Sequence, residues 1–73
     1  MNRTSCIVTI QSKLKLLTGS EKKVADYILG NYMEVLDYTV IELAEKADVS
    51  DATVLRFCRS VGYKEFQDLT ISL

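Results

Sequence analysis

Seventy-three residues with 48% apolar side chains, no proline and three glycines make one small domain, suited to a bundle of short helices rather than a turn-rich β fold. No histidine and only two cysteines, Cys6 and Cys58, argue against a zinc site and a disulfide framework, and the apolar patch Cys6 to Ile10 is too short for a signal peptide or a membrane span. The net charge of −1 is unevenly spread: residues 1–23 stand at +4 through Arg3, Lys13, Lys15, Lys22 and Lys23, residues 24–49 at −5, and residues 50–73 at zero. One basic and one acidic face are therefore expected, in a cytoplasmic protein.

Asn2 to Ser5 is polar and offers Thr4 and Ser5 as helix N-caps. Ile7, Ile10, Leu14 and Leu17 then recur at helical spacing, although the β-branched run Ile7-Val8-Thr9-Ile10 also suits a strand. Thr18 followed by Glu21 has capping-box spacing and opens a second helix, with Val24, Ala25, Ile28 and Leu29 inward and Lys22, Lys23 and Asp26 in water. Tyr27 and Tyr32 are expected at the core edge. Gly30-Asn31 is expected to end the helix. The connector to Tyr38 is anchored by Val35 and Leu36, with Met33 filling a gap.

The stretch Thr39 to Arg59, within a motif spanning about residues 39–61, reads as two short helices around a tight turn. Thr39 and Glu42 form a second capping box, and Leu43, Ala44 and Ala47 share one face. Asp48-Val49-Ser50 breaks the pattern. Asp48 stands where glycine is usual, and aspartate tolerates the left-handed backbone better than most residues. Ser50 caps the next helix, about 51–61, on which Val54, Phe57, Cys58 and Val61 face inward and Gly62 stops the run. Ala52, Arg56 and Arg59 face outward, with Leu55 at the edge. Helical spacing resumes from Lys64, with Phe66, Leu69 and Leu73 inward. The expected architecture is all-α: four or five short helices containing a helix-turn-helix, without a wing. The second helix of that motif would enter the major groove of double-stranded DNA.

The runs LTGSEKKVADYIL (17–29) and VIELAEKADVSDATVLRFCRSVGYKEFQDL (40–69) resemble the amino-terminal domain of RpiR/MurR-type bacterial transcriptional regulators, over about three quarters of the chain. ATVLRFCRSVGYKEFQDL is the most specific part. The resemblance implies a DNA-binding domain of a regulator of sugar-phosphate metabolism. It also implies a C-terminal sugar isomerase (SIS) domain, outside these 73 residues, that binds a phosphosugar effector and supports a homodimer or higher oligomer. Chain-end packing through the Ile7/Ile10/Leu14 helix or the last helix is a further route to a dimer.

The residues expected at DNA are Ser50, Ala52, Thr53, Leu55, Arg56, Arg59 and Lys64. Arg56 and Arg59 project side by side, and guanidinium forks bind guanine O6/N7 or clamp phosphate. Arg56, nearer the helix start, is assigned to a base edge; Arg59 and Lys64 are assigned to phosphates. Ser50 and Thr53 are candidates for a phosphate oxygen, with capping the safer role for Ser50. Ala52 and Leu55 suit a thymine methyl, and Leu55 equally suits the core edge. The bland reading of both arginines is surface pairing with Asp51 or Glu65. No cofactor, glycine-rich phosphate loop or activated nucleophile is visible, so an enzyme is not expected. The competing class is a helical protein–protein interaction or dimerisation module without DNA binding.

Overall fold

Hydrogen bonds closed within three or four residues divide the chain into short helices. The computed structural model describes residues 4–73, with side chains from Cys6 onward. The helices are α1 (Thr4–Lys13), α2 (Gly19–Val35), α3 (Val40–Ala47), α4 (Asp51–Ser60) and α5 (Phe66–Ser72), with a single 3₁₀ turn at Leu14–Leu16 after α1. No strand occurs among the described residues, so no wing follows Gly62 there. No described helix is long and apolar enough to cross a membrane. Arg3, and the capping expected of the Thr4 and Ser5 side chains, lie outside the described part.

The centre of the domain is α2, α3 and α4, packed on one another, with α1 and α5 against its side. Phe57, Ile28, Leu43, Leu69, Val24 and Val54 are fully buried there. The strand alternative at residues 7–10 is not taken. The α1 stripe is rotated from the expected one: Cys6 and Ile10 are fully buried, while Ile7 and Leu14 lie only partly buried beside the core. Beyond Lys13 the 3₁₀ turn advances about 120° per residue instead of 100°, so the helical register changes again at Leu14, and Leu17 is buried as expected. Leu16 ends at 81% exposure.

Both predicted capping boxes form. At α2 the Thr18 hydroxyl accepts from the Glu21 amide at 3.3 Å and the Glu21 carboxylate accepts from the Thr18 amide at 3.2 Å. Glu21 is also buried, and Ser60 at the end of α4 donates to its second oxygen at 3.4 Å. Gly30-Asn31 breaks α2 without ending it. Asn31 leaves the helical region (φ −142°, ψ 34°), its amide donates to the Tyr27 carbonyl at 3.1 Å, and one more turn carries Val35 into the core. Met33 on that turn is 61% exposed, so it fills no gap. Tyr27 stacks on Tyr38 and their hydroxyls lie 3.0 Å apart beside Glu34, an arrangement that pushes Tyr38 up to about 12. Cys6 and Cys58 are free thiols, and burial raises both, Cys58 to about 11. Thiols so protonated and enclosed are inert packing groups.

Candidate nucleic-acid interface

The geometry of the helix-turn-helix is fixed by how α3 stops and α4 starts. Asp48 adopts the left-handed conformation (φ 61°, ψ 49°), and it is the one non-glycine residue with positive φ among those described. The Val49 amide then donates to the Ala44 carbonyl at 2.9 Å and the Asp48 amide to the Glu45 carbonyl at 3.2 Å. This pair of bonds is a Schellman motif, and half-buried Val49 is placed to close it against Ala44. α4 ends the same way: Tyr63 donates to the Cys58 carbonyl at 2.8 Å and Gly62 (φ 99°) to that of Arg59 at 3.0 Å.

Asp48 takes on this conformation without glycine's freedom. Its ion pair with Lys23, 3.7 Å across largely exposed side chains, contributes little. Asp48→Val is expected to destabilise the domain by about 1–2 kcal/mol, because a β-branched residue is a genuine outlier there. Asp48→Gly is expected to melt near the parent, since relief of strain is offset by a floppier unfolded chain. Thermal melts of the two variants check this; equal melting temperatures would contradict it.

Ser50 caps α4 as expected, its hydroxyl accepting from the Thr53 amide at 3.2 Å. Val54, Phe57, Cys58 and Val61 are at most 2% exposed, and Ala52, Leu55, Arg56 and Arg59 lie on the opposite, exposed face. Leu55, at 41% exposure, is on the surface rather than in the core. Thr53 must be corrected. It is 5% exposed, and its hydroxyl is engaged by Ser50 and Arg56. It is therefore not presented to a phosphate.

Arg56 Nη2 donates to Thr53 Oγ1 at 3.2 Å, so this side chain lies back along α4 toward its start. The row Ser50, Thr53, Arg56 was not foreseen as a unit; its signal was three polar residues at successive steps of three. Arg59 and Lys64 line an open recess of about 570 Å³ with Gly62, Tyr63 and Glu65. Among the described residues the single ion pair is Lys23–Asp48, so neither arginine is neutralised by Asp51 or Glu65. Lys15, Lys22 and Lys23 are exposed, and Lys13 is half-buried. No described cluster of acidic or cysteine side chains suits a metal ion. The arrangement offers two unpaired guanidinium groups and an ammonium along one helix and its exit, with small and apolar side chains between them. Such a surface fits a polyanion whose floor carries base edges and methyl groups.

Comparison with known proteins agrees. Residues 4–73 match the model of the helix-turn-helix domain of the rpiR family. The chain is 46% identical over 66 residues to the helix-turn-helix-type transcriptional regulator YbbH of Bacillus subtilis, covering 90% of this chain and 23% of that protein. It is 44% identical over 64 residues to the regulator HexR of Pseudomonas aeruginosa, covering 88% and 22%. The crystal structure of the N-terminal domain of YbbH superposes with a TM-score of 0.87 at 44% identity, over 90% of this chain and 80% of that one. The chain thus spans about a quarter of the length of the curated relatives it matches.

Proposed function

Because the chain belongs to the rpiR family of helix-turn-helix domains, a DNA-binding family of transcriptional regulators, we propose that α4 reads operator DNA for a regulator of phosphosugar metabolism. The observation that carries the reading is the outward face of α4, where Arg56 and Arg59 are exposed and free of carboxylate partners. Arg56 meets a base edge, Arg59 and Lys64 hold phosphates, and Ala52 and Leu55 meet thymine methyls. Ser50 caps α4 and brings its first amides to a phosphate. The relatives' extra length is where a sugar isomerase domain would bind the effector and join two copies in the cytoplasm.

The test is titration of duplex DNA over a salt series. If Arg59 and Lys64 each neutralise one phosphate, log K falls against log salt with a slope of about −1.8. A helical interaction module without DNA binding would show no such slope, and that result would overturn the reading.

The two arginines are expected to fail differently. Arg56→Ala is expected to cost about 1–3 kcal/mol and relax specificity at one base position, with the melting temperature nearly unchanged. Arg59→Ala is expected to weaken all sequences alike and flatten the salt slope by about one unit. Binding to a selected duplex and its single-base variants separates the two; equal losses on every duplex for both variants would remove Arg56 from base reading.

A further inference from the structure

Two exposed arginines on one helix face ordinarily have the same freedom, yet here they differ. Arg59 opens onto a solvent recess, whereas Arg56 is tied at 3.2 Å to the hydroxyl of Thr53. Thr53 is 5% exposed, and its Oγ1 also lies 3.0 Å from Ser50 Oγ, which in turn accepts from the Thr53 amide. The hydroxyl is thus fixed from behind by the helix cap and from the front by the guanidinium. Arg56 gives up one of five N–H donors to this contact and keeps four for DNA.

We propose that Thr53 is a positioning residue for DNA reading: its buried hydroxyl holds the Arg56 guanidinium over the first turn of α4, aimed before the helix enters the groove. A long side chain ordered in advance loses less freedom on binding, so more of its hydrogen-bond energy appears as discrimination. The Ser50 cap takes part by orienting the Thr53 hydroxyl, which leaves its outer lone pair for Arg56. The inference rests on the reading of α4 as the recognition helix with Arg56 at a base edge.

The experiment uses the 73-residue chain, a duplex selected by it from a randomised pool, and the single-base variants of that duplex. Thr53→Val keeps shape and burial but removes the acceptor; Thr53→Ser keeps the acceptor. The expected result is that Thr53→Val lowers discrimination at the Arg56 position several-fold, up to about tenfold, while affinity for random duplex and the salt slope stay at parent values. Thr53→Ser retains the parent discrimination. In the Arg56→Ala background, Thr53→Val is expected to cause no further loss, because the two act through one contact. Should Thr53→Val fold poorly, Thr53→Ala carries the same prediction. Unchanged discrimination in Thr53→Val beside its loss in Arg56→Ala would overturn the positioning role alone. Losses that add in the double variant, or that fall equally on all duplexes, would make Thr53 merely structural and overturn it too. No loss of discrimination in Arg56→Ala would instead remove the base-reading role on which the inference stands.

Discussion

Phe57→Ala is expected to leave the chain largely unfolded. Phe57 is the largest fully buried side chain and lies in the core that joins α2, α3 and α4. Truncating a buried phenylalanine costs about 3–5 kcal/mol, transfer and cavity combined. A single core in a domain this small rarely supplies more than about 3–5 kcal/mol of net stability. The loss therefore takes most of the stability, and DNA binding, which needs α4 folded on its core, fails with the fold. Phe57→Leu retains most of the apolar volume and is expected to stay folded. Circular dichroism during urea titration checks both. A Phe57→Ala unfolding free energy lowered by less than about 1 kcal/mol would show that this ring does not close the core.

The second large effect concerns the number of recognition helices. On the proposed division of domains, the isolated 73-residue chain is expected to bind its operator about 10²–10⁴-fold more weakly than a longer regulator that pairs two copies, and to ignore sugar phosphates. One helix-turn-helix contacts one half-site, and two recognition helices about one duplex turn apart are the usual arrangement for tight binding. Joining a second copy makes the second contact intramolecular, which accounts for the factor. The acidic middle of the chain, −5 over residues 24–49, adds nothing that would compensate. The measurement is operator titration with the short chain and the full protein, each with and without a panel of sugar phosphates. Equal affinities, or an effector response from the short chain, would overturn this division of labour.

What was legible in the sequence was what is decided within three or four residues. Thr18–Glu21, Thr39–Glu42, Ser50 and Gly62 mark helix ends through bonds to near neighbours, and each stands where spacing placed it. The inner and outer faces of α4 follow from the same periodicity. The misses involve a partner or a rotation that periodicity does not encode. Glu21 is buried and meets Ser60, 39 residues away. Thr53 is expected at a phosphate oxygen by its hydroxyl, whereas the structure buries it and engages that hydroxyl with Ser50 and Arg56. On α1 the apolar spacing admits Ile7 as readily as Cys6, and packing buries Cys6. At Asn31 the residue types signalled a break correctly, but not that its amide would satisfy the Tyr27 carbonyl and let the helix resume.

The bond between Ser60 and Glu21 bears on the order in which the molecule assembles. α2, α3 and α4 follow one another in the chain and pack on one another, so most of the centre is made from contacts of short sequence separation. Chains of that kind have small loops to close and fold in microseconds to milliseconds. Glu21 sits at the start of that unit and Ser60 at its end, so their hydrogen bond spans it completely. It cannot form until α4 is docked on α2. A contact of that span is expected to form late, and its contribution would then be to slow the escape of α4 rather than to hasten folding.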